Sequence, residues 1–228
     1  MPPRKQVTRT AKRAAAPAVE QHPSYAIAVG VSLAIFALYI ATLAPTTAMW
    51  DTSEYIAAAR VLGVPHPPGN PFFVMLAHVF SLLPIGSGAG MRINVLAALC
   101  SAASAGMWFL VVERVLSGWL PERWQQRGAA AAAALLGATA FTVWNQSVVN
   151  EKVYTVSLAF FAIVSWLTVQ WCDNPEGRTA DRLLVLIGFL IALGYTNHPA
   201  GFLVAPAVIA AVMLRRPTTI LRWRLLLA

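Results

Sequence analysis

Charge is what this chain has least of. Asp, Glu, Lys and Arg make up 11% of its 228 residues, where soluble domains carry about 25%. So few charges cannot cover a water-facing surface of this size, and apolar runs of span length recur along the chain. Both point to an all-α, polytopic membrane helical bundle. No strand-like alternation extends far enough for a barrel. Cysteine is nearly absent. Cys100 and Cys172 lie inside apolar segments and form neither a disulfide framework nor a metal spacing. No Walker motif, GxSxG elbow, zinc spacing or internal repeat occurs. Acids are scarcer than bases, and the net charge is +8. That excess sits in an N-terminal tail and in short loops, where membrane topology explains it. Nucleic acid is therefore not expected as a partner.

Residues 1–24 are rich in Lys, Arg, Ala and Pro and read as a disordered basic tail. Residues 25–228 read as one transmembrane module. Its apolar segments are Tyr25 to Leu43, Phe72 to Leu83, Ile93 to Val112, Gly128 to Trp144, Val153 to Trp171, Leu183 to Tyr195 and Gly201 to Leu214. The second is short for a core about 30 Å thick. If it does not cross, 14 of the 17 basic residues fall on the tail's side, leaving Arg60, Arg92 and Lys152 opposite. If it crosses, seven share the tail's side and ten do not. The positive-inside rule favours the first model. It puts the N-terminus in the cytoplasm and makes residues 72–84 a juxtamembrane or half-inserted helix. The first extracytoplasmic loop, residues 45–71, precedes it and carries a surface helix. Trp50, Trp119, Trp144, Trp166, Trp171 and Trp223 fall near span ends, as interfacial anchors do.

The same model gathers Asp51, Glu54, Glu151, His66, His78, His198, Arg92 and Lys152 on or toward the outer face. Ionisable groups at a membrane edge are costly and are candidates for function. Asp51-Thr52-Ser53-Glu54 matches a capping box, so Asp51 is expected either to cap the surface helix or to face a substrate. Tyr55, Ala58, Ala59 and Leu62 make that helix's apolar stripe. His66-Pro67-Pro68-Gly69-Asn70-Pro71 cannot be helical and reads as a rigid turn, with Asn70 as cap and Pro71 as first residue of the next helix. Arg92 opens a span and is a snorkelling anchor at its simplest. Glu151 and Lys152 can pair with each other. His198 sits in a hinge, "TNHPAG".

Taken together, "APTTAMWDTSEYIAAARVLGVPHPPGNPFFVMLAHVFSLLPIG" followed by "RINVLAAL" resembles the GT-C superfamily of membrane glycosyltransferases. The nearest likeness is to the transmembrane-protein-260-like protein O-mannosyltransferases. The family's acid motif, "GVPHPPGYP" run, Arg-Asn pair, "vaEvY" loop and late Asn-His stand here as Asp51 to Glu54, Gly63 to Pro71, Arg92 and Asn94, Glu151 to Tyr154, and Asn197-His198. Thr52-Ser53 replaces the usual Ser-Gly, and Asn70 stands where Tyr is common. The chain is short for the family and reads as an N-terminal module.

The resemblance implies inverting transfer of a sugar, mannose in the family, from a polyprenyl-phosphate carrier in the cell (inner) membrane. The acceptor would be an extracytoplasmic hydroxyl on a protein or glycan. Asp51 would be the base, with Glu54 as second carboxylate. Arg92, His66, Lys152 and His198 would meet the donor phosphate, and Glu151, Tyr154 and Asn197 would complete the binding set. No metal or other cofactor is required, although carboxylates of this kind can bind Mg²⁺ or Mn²⁺. The rival readings are a transporter or lipid flippase, which would place binding groups on broken helices at the midplane, and a non-catalytic module.

Overall fold

The helix Ala89–Leu116 (α4) is the central element of the bundle and packs against most of the other helices. Its inward faces are built from small residues: Ala97, Ala98, Ser101, Ala102, Ser104, Ala105 and Gly106 are all buried. Small side chains let apolar helices approach closely where no water drives them together. The closest approach is at Gly106. A β-carbon there would lie 2.1 Å from Ser32 Oγ and 2.8 Å from the Ala28 carbonyl oxygen. Gly106→Ala is therefore expected to push Tyr25–Ala41 (α1) off α4 at a cost of about 1–3 kcal/mol. A lowered thermal midpoint in detergent checks this; an unchanged midpoint refutes it.

The computed structural model describes residues 22–47, 50–149 and 153–222. Among them are nine α-helices and two 3₁₀ segments, with no strand. After α1 come Thr52–Val61 (α2), Pro71–Ser81 (α3) and α4. Arg123–Thr139 (α5), Phe141–Val148 (α6), Val153–Asp173 (α7), Gly177–Asn197 (α8) and Ala205–Arg215 (α9) follow. Helices α4, α7 and α8 are each long and apolar enough to cross a membrane, and α5 with α6 would make a fourth span bent by 62°. The basic tail up to residue 21 lies outside the described residues, as do Trp223 and Arg224.

Helices α1 and α4 run antiparallel. At one end Ser24 donates to the Glu113 carboxylate through both its backbone N–H and its hydroxyl. At the other, Asn94 Nδ2 donates to the carbonyls of Ala44 (2.7 Å) and Thr46 (3.1 Å). The excursion holding α2 and α3 thus leaves and re-enters the bundle at the same end. At about 1.5 Å per residue, the 11 residues of α3 reach only about half the thickness of a hydrocarbon core.

The Ser24 end is held by arginine–carboxylate pairs. Arg114 grips Asp173 with two nitrogens, joining α4 to α7. Arg127 reaches both Ser24 Oγ (2.9 Å) and Glu113 (3.5 Å). Arg216 is buried, bonds Asp181 at 2.7 Å and lies over the Trp171 ring. A buried guanidinium survives only when paired in this way.

Three expectations are corrected here. The segment Gly128 to Trp144 is not one straight span but breaks at Ala140. No proline or glycine marks that position. The preceding chain braces both sides of the break. Tyr39 OH donates to the Ala138 carbonyl (2.7 Å), Trp144 Nε1 to Thr42 Oγ1 (3.0 Å), and Ala44 N to Val148 O (3.0 Å). Trp166 and Trp171 are buried in the bundle and not placed as interfacial anchors. Leu62 is not part of α2's buried stripe. It takes the left-handed C-cap position (φ 53°) and is exposed.

Candidate functional site

The site is built from two short helices, a turn and two helix ends. Asp51 stands at the N-cap of α2, but its side chain makes no capping bond. Only its carbonyl does, accepting from Tyr55 N. Glu54 does not reach back to Asp51 either. Both its oxygens reach forward twelve residues to His66, one accepting from the backbone N–H (2.6 Å) and one from ring Nδ1 (2.9 Å). The expected capping box is therefore replaced by a carboxylate clamp. The donors offered by His66 are two and convergent, which outcompetes a single backbone N–H.

The turn makes that convergence possible. Gly69 N donates to His66 O (2.9 Å), closing a tight turn across the cis Pro67–Pro68 peptide. Gly69 has φ +86°, a conformation that side-chain-bearing residues rarely adopt. Asn70 follows in the left-handed region (φ 42°) and also makes no side-chain cap, correcting its assignment as one. Its amide serves elsewhere. Oδ1 accepts from Tyr55 OH (3.1 Å), and Nδ2 donates to the Asn197 carbonyl (2.6 Å).

Asn197 extends the chain of bonds. Its Nδ2 donates to Val153 O and Ser157 Oγ, both at 2.9 Å. The starts of α3 and α7 and the end of α8 are thus tied together, with Asn70 and Asn197 both buried. Next to this tie His198 Nδ1 accepts from Ala200 N (3.0 Å), and the Tyr154 ring meets the His198 ring edge-on at 4.9 Å. Burial, and then the nearby charge of His66, hold His198 below the ordinary imidazole value.

Asp51, Glu54 and His66 meet solvent, with side chains 46%, 42% and 42% exposed. Asp51 Oδ2 lies 3.9 Å from His66 Nε2. The bond from the His66 ring, and then that from its backbone, hold the Glu54 carboxyl below its ordinary value, so it is ionised at neutral pH.

Residues 51–221 match the model of the protein O-mannosyl-transferase TMEM260 N-terminal domain. The chain belongs to this family. It is 30% identical over 188 residues to the protein O-mannosyl-transferase TMEM260 of Mus musculus, covering 82% of this chain and 25% of that protein. It is 26% identical over 185 residues to the protein O-mannosyl-transferase tmem260 of Dictyostelium discoideum, covering 74% of this chain and 21% of that one. The chain therefore spans about a quarter of the length of these curated relatives. No solved structure matches it.

The stretch matching the TMEM260 N-terminal domain begins at Asp51 itself and contains every candidate position. Asp51, Glu54 and His66 come together directly, and Tyr154, Asn197 and His198 join them through Asn70. Arg92 does not contact the acids. Its Nε donates to Ile85 O and its Nη1 to Ser81 O, both at 2.8 Å, bracing the loop between α3 and α4. Glu151 and Lys152 lie outside the described residues. His78 is taken up by the Ala59 carbonyl (2.9 Å). Tyr55 and Asn70 were missed as site residues. Tyr55 shares α2's buried stripe, where an aromatic reads as core, and Asn70 reads as a cap.

Among the described residues Asp51, Glu54 and His66 are the one group of three able to offer a metal a donor each, with those atoms all within 4.8 Å of one another. Within this group Glu54 and His66 Nδ1 are already bonded to each other. Outside this cluster, an apolar cavity of about 330 Å³ opens beside the α5–α6 break, lined among others by Ser101, Ser104, Trp108, Gly137, Val143 and Leu158.

Proposed function

We propose that this module works as part of an integral-membrane glycosyltransferase. It transfers mannose from a polyprenyl-phosphate carrier to a hydroxyl of an exported protein, inverting the anomeric centre in one displacement. The observation that carries this reading is the half-exposed Asp51 carboxylate, free of its expected cap and set beside the clamped Glu54–His66 pair. An attacking hydroxyl needs a base within hydrogen-bond reach, and Asp51 is that group. The leaving lipid phosphate needs N–H or cationic donors where its charge develops. His198 supplies a neutral ring N–H, and Arg92 and Lys152 are further candidates. The apolar cavity beside the α5–α6 break has the right chemistry for a prenyl tail. The family match supports the sugar and the protein acceptor through the names of the relatives. The site faces the extracytoplasmic side, by the distribution of basic residues. The steps assigned to these residues need no metal.

The transporter reading has one point in its favour, the broken α5–α6 span. The Ala138 carbonyl freed at that break is taken by Tyr39 OH, and Trp144 just beyond it is held by Thr42.

The test is the full chain reconstituted in liposomes with polyprenyl-phosphate mannose and a Ser/Thr-containing peptide. Mass spectrometry is expected to show one hexose added, and NMR the anomer opposite to the donor's. Mannose uptake into the vesicles without any glycopeptide would instead support transport.

A further inference from the structure

The two histidines of the site carry their protons on opposite ring nitrogens. Glu54, ionised, can only accept, so the 2.9 Å contact requires a proton on His66 Nδ1. When neutral, His66 therefore presents its lone pair at Nε2. His198 is fixed the other way. Ala200 N–H donates to its Nδ1 at 3.0 Å, so the neutral ring has its proton on Nε2. One ring is set as a proton acceptor and the other as a fixed donor.

The surroundings of His66 suit a group that gains and loses a proton. Nε2 faces Asp51 Oδ2 at 3.9 Å and Tyr55 OH at 3.5 Å. When the ring is neutral, the Tyr55 hydroxyl can turn its proton to Nε2. When the ring is protonated, that hydroxyl can donate to Asn70 Oδ1, 3.1 Å away, and accept from Nε2–H. The neutral ring competes with Asn70 Oδ1 for the single Tyr55 hydroxyl proton, whereas the imidazolium leaves the Tyr55–Asn70 bond in place and sets its charge between Glu54 and Asp51. Among the described residues the titratable groups facing His66 are Asp51, Glu54 and Tyr55 from α2, and His198 after α8.

We propose that Glu54 and His66 form a carboxylate–imidazole dyad that receives the proton Asp51 takes from the acceptor hydroxyl. This rests on the sugar-transfer reading above. The hydroxyl oxygen bonds to the sugar's C1, and the C1–O bond to phosphate breaks with its electron pair going to the phosphate. The hydroxyl proton moves to Asp51 Oδ2, then to His66 Nε2 once the two half-exposed side chains close the 3.9 Å between them, and leaves the imidazolium for water. Imidazole is by nature a stronger base than a carboxylate, which suits His66 to take the proton on. Glu54 acts through His66, fixing its tautomer as the carboxylate does in a Ser-His-Asp triad.

The test has two arms. In the first, the full chain labelled with ¹⁵N-histidine is read by NMR in micelles, each ring assigned by its His→Gln variant. His66 is expected as the Nδ1–H tautomer and His198 as Nε2–H, and Glu54→Gln is expected to release His66 toward Nε2–H. A His66 already protonated at Nε2, or indifferent to Glu54→Gln, overturns the proposal. In the second, transfer by wild type is expected to rise with pH to a plateau, its midpoint matching the His66 midpoint seen by NMR. His66→Gln is expected to lower kcat about a hundredfold or more with KM nearly unchanged, and added imidazole to restore part of the rate. Absence of transfer by wild type fails the sugar-transfer reading. Transfer by wild type that persists at full rate in His66→Gln fails the dyad alone.

Discussion

Asp51→Asn is expected to abolish the proposed sugar transfer and to leave the protein inserted and folded. The substitution keeps the shape of the side chain and removes its basicity. No capping bond is lost, because the Asp51 side chain makes none. The half-exposed position makes the neutral amide cheap to accommodate. Loss of a general base costs about 10²- to 10⁴-fold in rate, and the thermal midpoint should stay within a degree or so of wild type. Glu54→Gln is the informative companion. It weakens the clamp on His66, so it should slow transfer and also loosen the turn to proteolysis. Full activity in both variants would remove these acids from the chemistry.

Asn197→Ala has the opposite signature, a large loss of stability. The side chain is fully buried and its Nδ2 serves both Val153 O and Ser157 Oγ. Truncation leaves both acceptors without that donor in a buried place, at about 1–3 kcal/mol each where no water replaces it. For a domain of this size a loss of about 2 kcal/mol lowers the midpoint by about 4–8 °C. Transfer should fall as well, since Asn197 precedes His198 and its carbonyl holds Asn70. Asn70→Ala removes other bonds of the same network, those to the Asn197 backbone carbonyl and from Tyr55 OH. The two should be markedly less than additive, as expected for residues in one network. Additive losses would show that the amides act separately.

The sequence made the bundle legible because apolar length and loop charge are local and cumulative. The ends of α4, α7 and α8 all lie close to apolar runs visible in the chain. Counting basic residues grouped Asp51, Glu54, His66 and His198 on one side without any contact being known, and the structure brings the first three together with His198 nearby. What could not be read was the competition for hydrogen bonds. Asp51 and Glu54 fit a capping box by spacing, yet His66 wins Glu54 through a turn whose shape only the fold fixes. Asn70 looked like a cap because it precedes Pro71, but its left-handed backbone turns its amide toward Tyr55 and Asn197. The break at Ala140 has no proline to announce it, and its brace comes from Tyr39, about a hundred residues earlier. Arg92 was readable as an anchor and less so as a phosphate ligand, since two of its nitrogens brace a loop.

The bond between Asn70 and Asn197 spans 127 residues of chain. During synthesis at about 5–20 residues per second, the acid helix and the His66 turn would emerge on the order of ten seconds before the far end of α8. Through that interval the turn lacks the partner that locks it. The site therefore comes with a built-in delay, completing only once the later helices have been laid into the membrane beside it.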